Sequence, residues 1–276
     1  METSVEKPAA PAGGEGSRAA LSEGFSPAEL AQFEAAGFVV VRGLADRETT
    51  RQMVECTRVA LAEAIGPVEY EADLNYPGAP GSRGAAGGDT VRRLKEAHGR
   101  HPVFTSWLSS RPLLTRLEQL LKSRVVMPLA HHNCVMTKQP RFSSETGWHQ
   151  DIRYWSFERP ELVSAWLALG RETAENGALS LIPGSHRLPI SRDRLDAALF
   201  LRPELPENAA LIAQKVSVEL DPGDVLLFHC RTFHAAGRNQ TGQTKFSAVF
   251  TFRPADNLPQ PGTRSASMPE LLLPQV

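Results

Sequence analysis

The sequence predicts a mainly β architecture, a sandwich or barrel, with helices packed outside it. From Val125 onward the chain divides into six short β-like runs, VVMPLAHHNCVM, LVSAWLAL, ALSLIP, KVSVEL, DVLLFH and KFSAVFTF, punctuated by Asn-Gly and Pro-Gly pairs that favour tight turns. Ahead of Val125 helix signals dominate. A chain of 276 residues with 41% hydrophobic content can bury one substantial core, and neither an internal repeat nor a composition shift divides it.

Taken in order, residues 1 to 24 are rich in Ala, Gly, Pro and charge, too poor in apolar groups to repay ordering, and are expected to form a disordered tail. Ser26-Pro27-Ala28-Glu29 supplies an N-cap, a proline for the first helical position and a capping-box glutamate ahead of LAQFEAAGF. FVVVRG reads as a strand. Asp46 opens a second helix, with Met53, Val54, Val59, Leu61 and Ile65 as its apolar stripe and Gly66 as its stop. Residues 75 to 89, NYPGAPGSRGAAGGD, form a Gly/Pro-punctuated loop, either a lid or a plain connection. A third helical region covers roughly 103 to 122. The expected organisation is one domain over 25–276, helical to about 124 and β from about 125 to 255.

Thirty basic and 31 acidic residues leave a net charge of -1 with no basic run, which argues against a nucleic-acid partner and for a small molecule. Cys56, Cys134 and Cys230 are odd in number and lack Cys-x-x-Cys spacing, so neither a disulfide framework nor a thiolate zinc site is indicated. The N-terminus lacks the apolar run of a signal peptide and no segment is long enough to span a bilayer, so a cytoplasmic protein is expected. Nothing in the sequence speaks to oligomeric state.

The stretch GWHQDIRYW places His149 and Asp151 two positions apart, on one face of an extended segment. The best third donor is His234, after the DVLLFH run that begins at the Pro222-Gly223-Asp224 turn. Two imidazoles and a carboxylate on a β scaffold make the facial triad that holds non-haem Fe(II) and leaves positions open. The remaining histidines have plainer readings. His229 falls on the opposite face of its strand, His131 and His132 point to opposite sides, His186 sits in a turn, and His98 and His101 lie in the helical half.

At these residues the sequence resembles the phytanoyl-CoA dioxygenase family of Fe(II)- and 2-oxoglutarate-dependent oxygenases. The resemblance covers roughly residues 26 to 255. It is densest in WHQDIRYWSFERPELVSAWLAL, NGALSLIPGSHR and PGDVLLFHCRTFHAAGRNQTGQTKFSAVF. It implies a double-stranded β-helix, a jelly-roll relative of the cupins, with Fe(II) held by His149, Asp151 and His234, and with 2-oxoglutarate and O2 as cosubstrates of a C–H hydroxylation. Related halogenases replace the carboxylate with a small residue, so Asp151 favours hydroxylation. Family members usually carry an arginine eleven residues after the distal histidine to grip the far carboxylate of 2-oxoglutarate, and here Lys245 stands there. A hairpin around Asn239 to Gly242 is expected to return Lys245 alongside His234, with Ser247 on the same strand face. Lysine offers a point charge where arginine offers a planar fork, and a solvated lysine on an edge strand is the competing reading. Trp166 matches an aromatic that lines the cosubstrate pocket, or is a core tryptophan. Gln150 should point away from the metal, while Arg153, Tyr154 and Trp155 either receive an acidic or acyl substrate or pack the barrel rim. The alternative function is a cupin-like metal-binding protein without oxidative turnover.

Overall fold

The computed structural model describes residues 23–276 apart from residues 75 and 77. Of the expected tail only Glu23 and Gly24 fall within the described residues, and their carbonyls accept hydrogen bonds from Arg116. The helices are α1 (Pro27–Ala36), α2 (Arg47–Ala62), α3 (Ala97–Arg100), α4 (Pro102–Leu108), α5 (Arg111–Leu121) and α6 (Pro206–Ile212). The strands are β1 (Phe38–Val41), β2 (Val68–Tyr70), β3 (Val91–Lys95), β4 (Val125–Pro128), β5 (Asn133–Lys138), β6 (Thr146–His149), β7 (Val163–Ala168), β8 (Leu179–Leu181), β9 (Val216–Ser217), β10 (Val225–His229), β11 (His234–Ala236), β12 (Lys245–Pro254) and β13 (Glu270–Leu272).

Helix α1 starts as its sequence predicts. Ser26 Oγ accepts from the Glu29 amide at 3.3 Å while the Glu29 carboxylate accepts from the Ser26 amide at 2.8 Å. It stops at Gly37, whose φ of 82° suits glycine and where a Cβ would fall 2.4 Å from a ring atom of His186. The stripe expected on α2 is only partly right. The helix ends at Ala62, Val59 and Ile65 are exposed, and the buried face is Thr50, Met53, Thr57 and Ala60. Those positions recur at three and four residues, so burial followed helical phase more closely than side-chain hydropathy. The third helical region is two helices, α4 and α5, parted at Ser109–Ser110. Leu113, Leu114 and Leu117 of α5 are buried.

The helical half also contributes β2 and β3, which the sequence did not announce because Arg92 and Arg93 stand in the middle of VRRLK. Both arginines are carried inward by ion pairs, to Glu71 and Glu69. Further on, VVMPLAHHNCVM is two strands, β4 and β5, and His234 opens a strand of its own.

Two antiparallel sheets result. The large one runs β1-β10-β7-β12-β5-β3-β2, with β4 paired to β12 and β13 paired to β4; the small one runs β6-β11-β8-β9. This is the jelly roll that the resemblance implied. Strand β12 shows how the layers are built, for all ten of its residues are buried. Phe246, Ala248, Phe250 and Phe252 face the helices and pack with Phe104, Leu113 and Leu117. Val249 faces the other way, with Trp166 and Phe228, into the space between the sheets. A strand covered on both faces reads as nearly continuous apolar sequence; the polar exceptions on its inner face are Lys245, Ser247, Thr251 and Arg253, and of these Lys245 lines the cavity.

Candidate active site

Local pairing brings the metal donors together. In the small sheet β11 pairs with β6 in a register that sets His234 directly across from His149, and the two rings stand 4.2 Å apart. Gln150 is extended, so Asp151 follows on the same side at the start of a single helical turn. The Gln150 side chain turns away to the Arg231 carbonyl at 2.6 Å, as expected. One ligand atom from each of His149, Asp151 and His234 lies within 4.8 Å of the others, and all three residues are buried.

The tautomers are fixed. Nδ1 of His149 meets the Gly147 carbonyl at 2.8 Å and Nδ1 of His234 meets the Thr232 carbonyl at 3.0 Å. A carbonyl only accepts, so each Nδ1 carries the proton and each Nε2 presents a lone pair, 3.8 and 3.5 Å from Asp151 Oδ1. Burial pushes both imidazoles below their ordinary values and keeps them neutral, the form that binds a metal. Asp151 is held well below the usual carboxylate range. Burial opposes its charge, but His132 and His234 beside it more than offset that, and Ser164 donates to Oδ2 at 3.0 Å. His132 donates to Oδ1 at 3.1 Å. Burial alone would lower His132, yet the adjacent carboxylate raises it to about 9. The sequence reading passed over His132, and adjacency to His131 was no signal for it. His229 pairs with His186, away from the donors.

The donors open onto a cavity that Trp166, Phe228 and Lys245 also line. Lys245 is not on an edge. It lies buried in central strand β12, between β5 and β7. The chain does turn around Asn239, but it crosses from the small sheet to the large one, so Lys245 faces His234 across the cavity instead of pairing beside it. Asn239 holds this crossing, donating to the carbonyls of Lys138 and Gln243, both at 2.7 Å.

Lys245 already has an acid. Its Nζ is 2.9 Å from Glu172 Oε2 and 3.1 Å from Ser247 Oγ, and Ser247 donates to Glu172 Oε1 at 2.6 Å. Trp166 Nε1 donates to the same carboxylate at 3.0 and 3.2 Å, while Lys245 Nζ sits 5.0 Å from the Trp166 ring centre. Lys245, Ser247 and Trp166 thus converge around a fully buried glutamate that nothing in the sequence singles out. At the mouth, Arg153 stacks 3.9 Å over the Phe200 ring and donates to the Tyr76 hydroxyl and the Ala198 carbonyl, both at 3.2 Å.

Residues 33–247 match the family model described as phytanoyl-CoA dioxygenase. The chain belongs to the phytanoyl-CoA dioxygenase family. Among its relatives are an ectoine dioxygenase of Bordetella bronchiseptica, 25% identical over 87% of this chain and 79% of that one, and a probable phytanoyl-CoA dioxygenase of Caenorhabditis elegans, 28% identical over 41% of this chain. The match spans 38% of the Caenorhabditis protein, and a match to the dioxygenase lolE1 of Epichloe uncinata spans 43% of that protein. The fold is shared with EctD from S. alaskensis, solved with 2-oxoglutarate and 5-hydroxyectoine, at a TM-score of 0.69 and 21% identity over 89% of this chain and 82% of that one. It is shared also with the epimerase SnoN, solved with Fe3+ and alpha-ketoglutarate, at 0.68 and 22% over 85% of each. The donor set here, two neutral imidazoles and an ionised carboxylate, fits the iron of this family.

Proposed function

We propose that the protein is an Fe(II)- and 2-oxoglutarate-dependent dioxygenase that hydroxylates an unactivated C–H bond of a small organic or acyl substrate, releasing succinate and CO2. The observation that carries this reading is the pair of Nε2 lone pairs facing Asp151 Oδ1 at the wall of the cavity. His149, Asp151 and His234 would hold the iron. Iron with 2-oxoglutarate and O2 supplies the oxidising power, and the chain supplies placement and dryness. Ser164 and His132 fix the orientation of Asp151, one donating to each carboxylate oxygen, and so would hold it in place as a ligand. Phe200 packs on the His149 ring and Phe228 on the His234 ring, which keeps bulk water from the donors. Arg153, with no acid within ion-pair distance among the described residues, suits a substrate that carries an anionic group.

The whole described and expected domain, 25–276, takes part in this reading, as a cytoplasmic enzyme acting on a small molecule. Among the described residues no helix is long and apolar enough to cross a membrane. The test is anaerobic addition of Fe(II) and 2-oxoglutarate to metal-free protein, followed by O2 and an assay for succinate. A visible charge-transfer band that is lost in His149→Ala, with succinate formed on exposure to O2, supports the reading. Iron binding without either signal favours a second one, a cupin-like metal protein without turnover. Glu172 is the feature that favours that second reading, because it occupies the lysine that would grip the cosubstrate.

A further inference from the structure

Two short segments meet over the mouth of the cavity. One is a hairpin whose ends, Leu195 and Leu201, bridge one another at its base. Asp196 Oδ1 accepts from the amides of Ala198 and Phe200 at 2.8 and 2.9 Å, and the Leu201 amide donates to the Trp148 carbonyl at 2.8 Å. The hairpin is thereby pinned to β6, beside His149. Leu199 at its tip has a φ of 62°, uncommon for a residue other than glycine, and Phe200 follows with its ring 5.6 Å from that of His149. The other segment brings Tyr76, which lines the cavity and meets Phe200 edge-on at 5.6 Å.

Arg153 joins the two. It donates to the Ala198 carbonyl of the hairpin and to the Tyr76 hydroxyl, both at 3.2 Å, and stacks 3.9 Å over the Phe200 ring. These contacts hold the guanidinium in place without answering its charge, because both acceptors are neutral. The arginines of the cavity wall, Arg92 and Arg93, have Glu71 and Glu69 as partners. Arg153 has no acid within ion-pair distance among the described residues, and Asp196 of the hairpin is turned to backbone amides. The Tyr76 hydroxyl accepts from Arg153, and its own proton has no protein acceptor among the described residues. A half-buried cation between aromatic rings is weakly screened, so an anion gains more there than on the open surface.

We propose that Arg153 and Tyr76 bind the carboxylate of the substrate, which is a small monocarboxylic acid whose apolar body lies against Phe200. This rests on the function proposed above and names its substrate class. Arg153 offers the planar fork that matches two carboxylate oxygens, and Tyr76 adds a hydroxyl donor. One unanswered guanidinium matches one negative charge. A phosphate dianion brings a second, for which the hairpin has no cation and the 75–89 loop has only Arg83, already paired with Asp73 at 3.6 Å. Because a single ring, that of Phe200, separates the guanidinium from His149, the part of the substrate that reaches the metal donors is the part near its carboxylate.

The experiment is anaerobic calorimetry on protein loaded with Fe(II) and saturating 2-oxoglutarate, the charge-transfer band reporting that each sample is folded and loaded. The probes are matched pairs, butyrate and butyramide, hexanoate and hexanamide, phenylacetate and phenylacetamide, with phenyl phosphate beside them. Wild-type protein should bind at least one acid about 10- to 100-fold more tightly than its amide, the worth of a charge-assisted hydrogen bond. Arg153→Gln should erase that preference while its affinity for the amide stays the same. Arg153→Lys should keep part of it, and Tyr76→Phe should cut it by about three- to tenfold. Should the glutamine protein show no band, these two shape-conserving variants decide, and an unchanged preference in both overturns the inference. A preference that survives Arg153→Gln overturns it too, as does wild-type protein that binds acids and amides alike, or none of the acids, or phenyl phosphate ahead of phenylacetate. Each of those results leaves the proposed function standing as long as the band forms, and absence of the band in wild type removes both.

Discussion

The cavity is built from two cross-strand pairs with opposite charge logic. In the small sheet His149 faces His234, two neutral donors that share the anion Asp151, and such a set attracts a cation. In the large sheet Lys138 faces Lys245, two cations of which only Lys245 has a carboxylate, Glu172, within ion-pair distance among the described residues. The same device, residues opposed in register on antiparallel strands, yields a metal site at one end and a pair of lysines at the other. Both acids are hydrogen-bonded at both oxygens, Asp151 by His132 and Ser164 and Glu172 by Trp166, Ser247 and Lys245. The difference lies in what else they face, for Asp151 Oδ1 is directed at two unprotonated imidazole nitrogens, whereas Glu172 is closed around an ammonium group.

Removing each central acid separates the two ends most sharply. Asp151→Ala should abolish succinate formation and weaken Fe(II) retention by more than the roughly 10- to 100-fold typical of losing a supporting partner, as measured by anaerobic iron titration. Unchanged turnover in that variant would break the metal half of the comparison.

Glu172→Gln should leave iron binding intact and act on stability. It strands a buried ammonium group, so the cosubstrate-free protein should lose about 3–5 kcal/mol in urea denaturation. The same variant should bind 2-oxoglutarate more tightly, because the cosubstrate then supplies the missing anion. Weaker binding in Glu172→Gln would mean that the glutamate positions the lysines more than it competes for them.

A smaller effect is expected from Ser164→Ala, which removes one hydrogen bond from Asp151 Oδ2 while leaving the ligand in place. Fe(II) affinity should fall by about tenfold, with the preference for 2-oxoglutarate over 2-oxopentanoate unaltered.

The mildest test is pH. Lys138 is depressed to about 7 by burial first and by Arg92 and Lys245 next, against the opposing pull of Glu71 and Glu145. Its ordinary value is 10.5, so between about pH 7 and 10.5 the unfolded chain binds the proton that the folded chain has released. The contribution of this group to the stability of the cosubstrate-free protein therefore rises with pH over that window. Urea denaturation of the cosubstrate-free protein at pH 7 and pH 9 measures the slope, and an equal slope in Lys138→Met would remove this group as its source.

The two ends were not equally legible in the sequence. The triad could be read because two of its members are neighbours in the chain and the third follows a strand whose entry is marked by Pro222-Gly223-Asp224. The lysine end depends on long-range register. Lys138 meets Lys245 only because β5 lies beside β12, and Glu172 reaches them only because the chain folds back after β7. In the sequence Glu172 is one charge among several in GRETAEN, with no periodicity to distinguish it. Strand β3 was missed for the same reason, since the acids that accompany Arg92 and Arg93 inward are Glu71 and Glu69, some twenty residues upstream. On α2, hydropathy favoured Val59 and Ile65, but the helix turned Thr57 and Ala60 inward, because phase along a helix is set by its first packed turn.

Among the described residues the two sheets share no hydrogen-bonded ladder: the metal donors sit on β6 and β11 of one or just beyond, and the lysines on β5 and β12 of the other. A diacid chelated at one end and gripped at the other is, in mechanical terms, a tie-rod between two plates. Loading it should slow amide exchange in β6, β11, β5 and β12 together, and a rod one carbon shorter should stiffen one plate without the other.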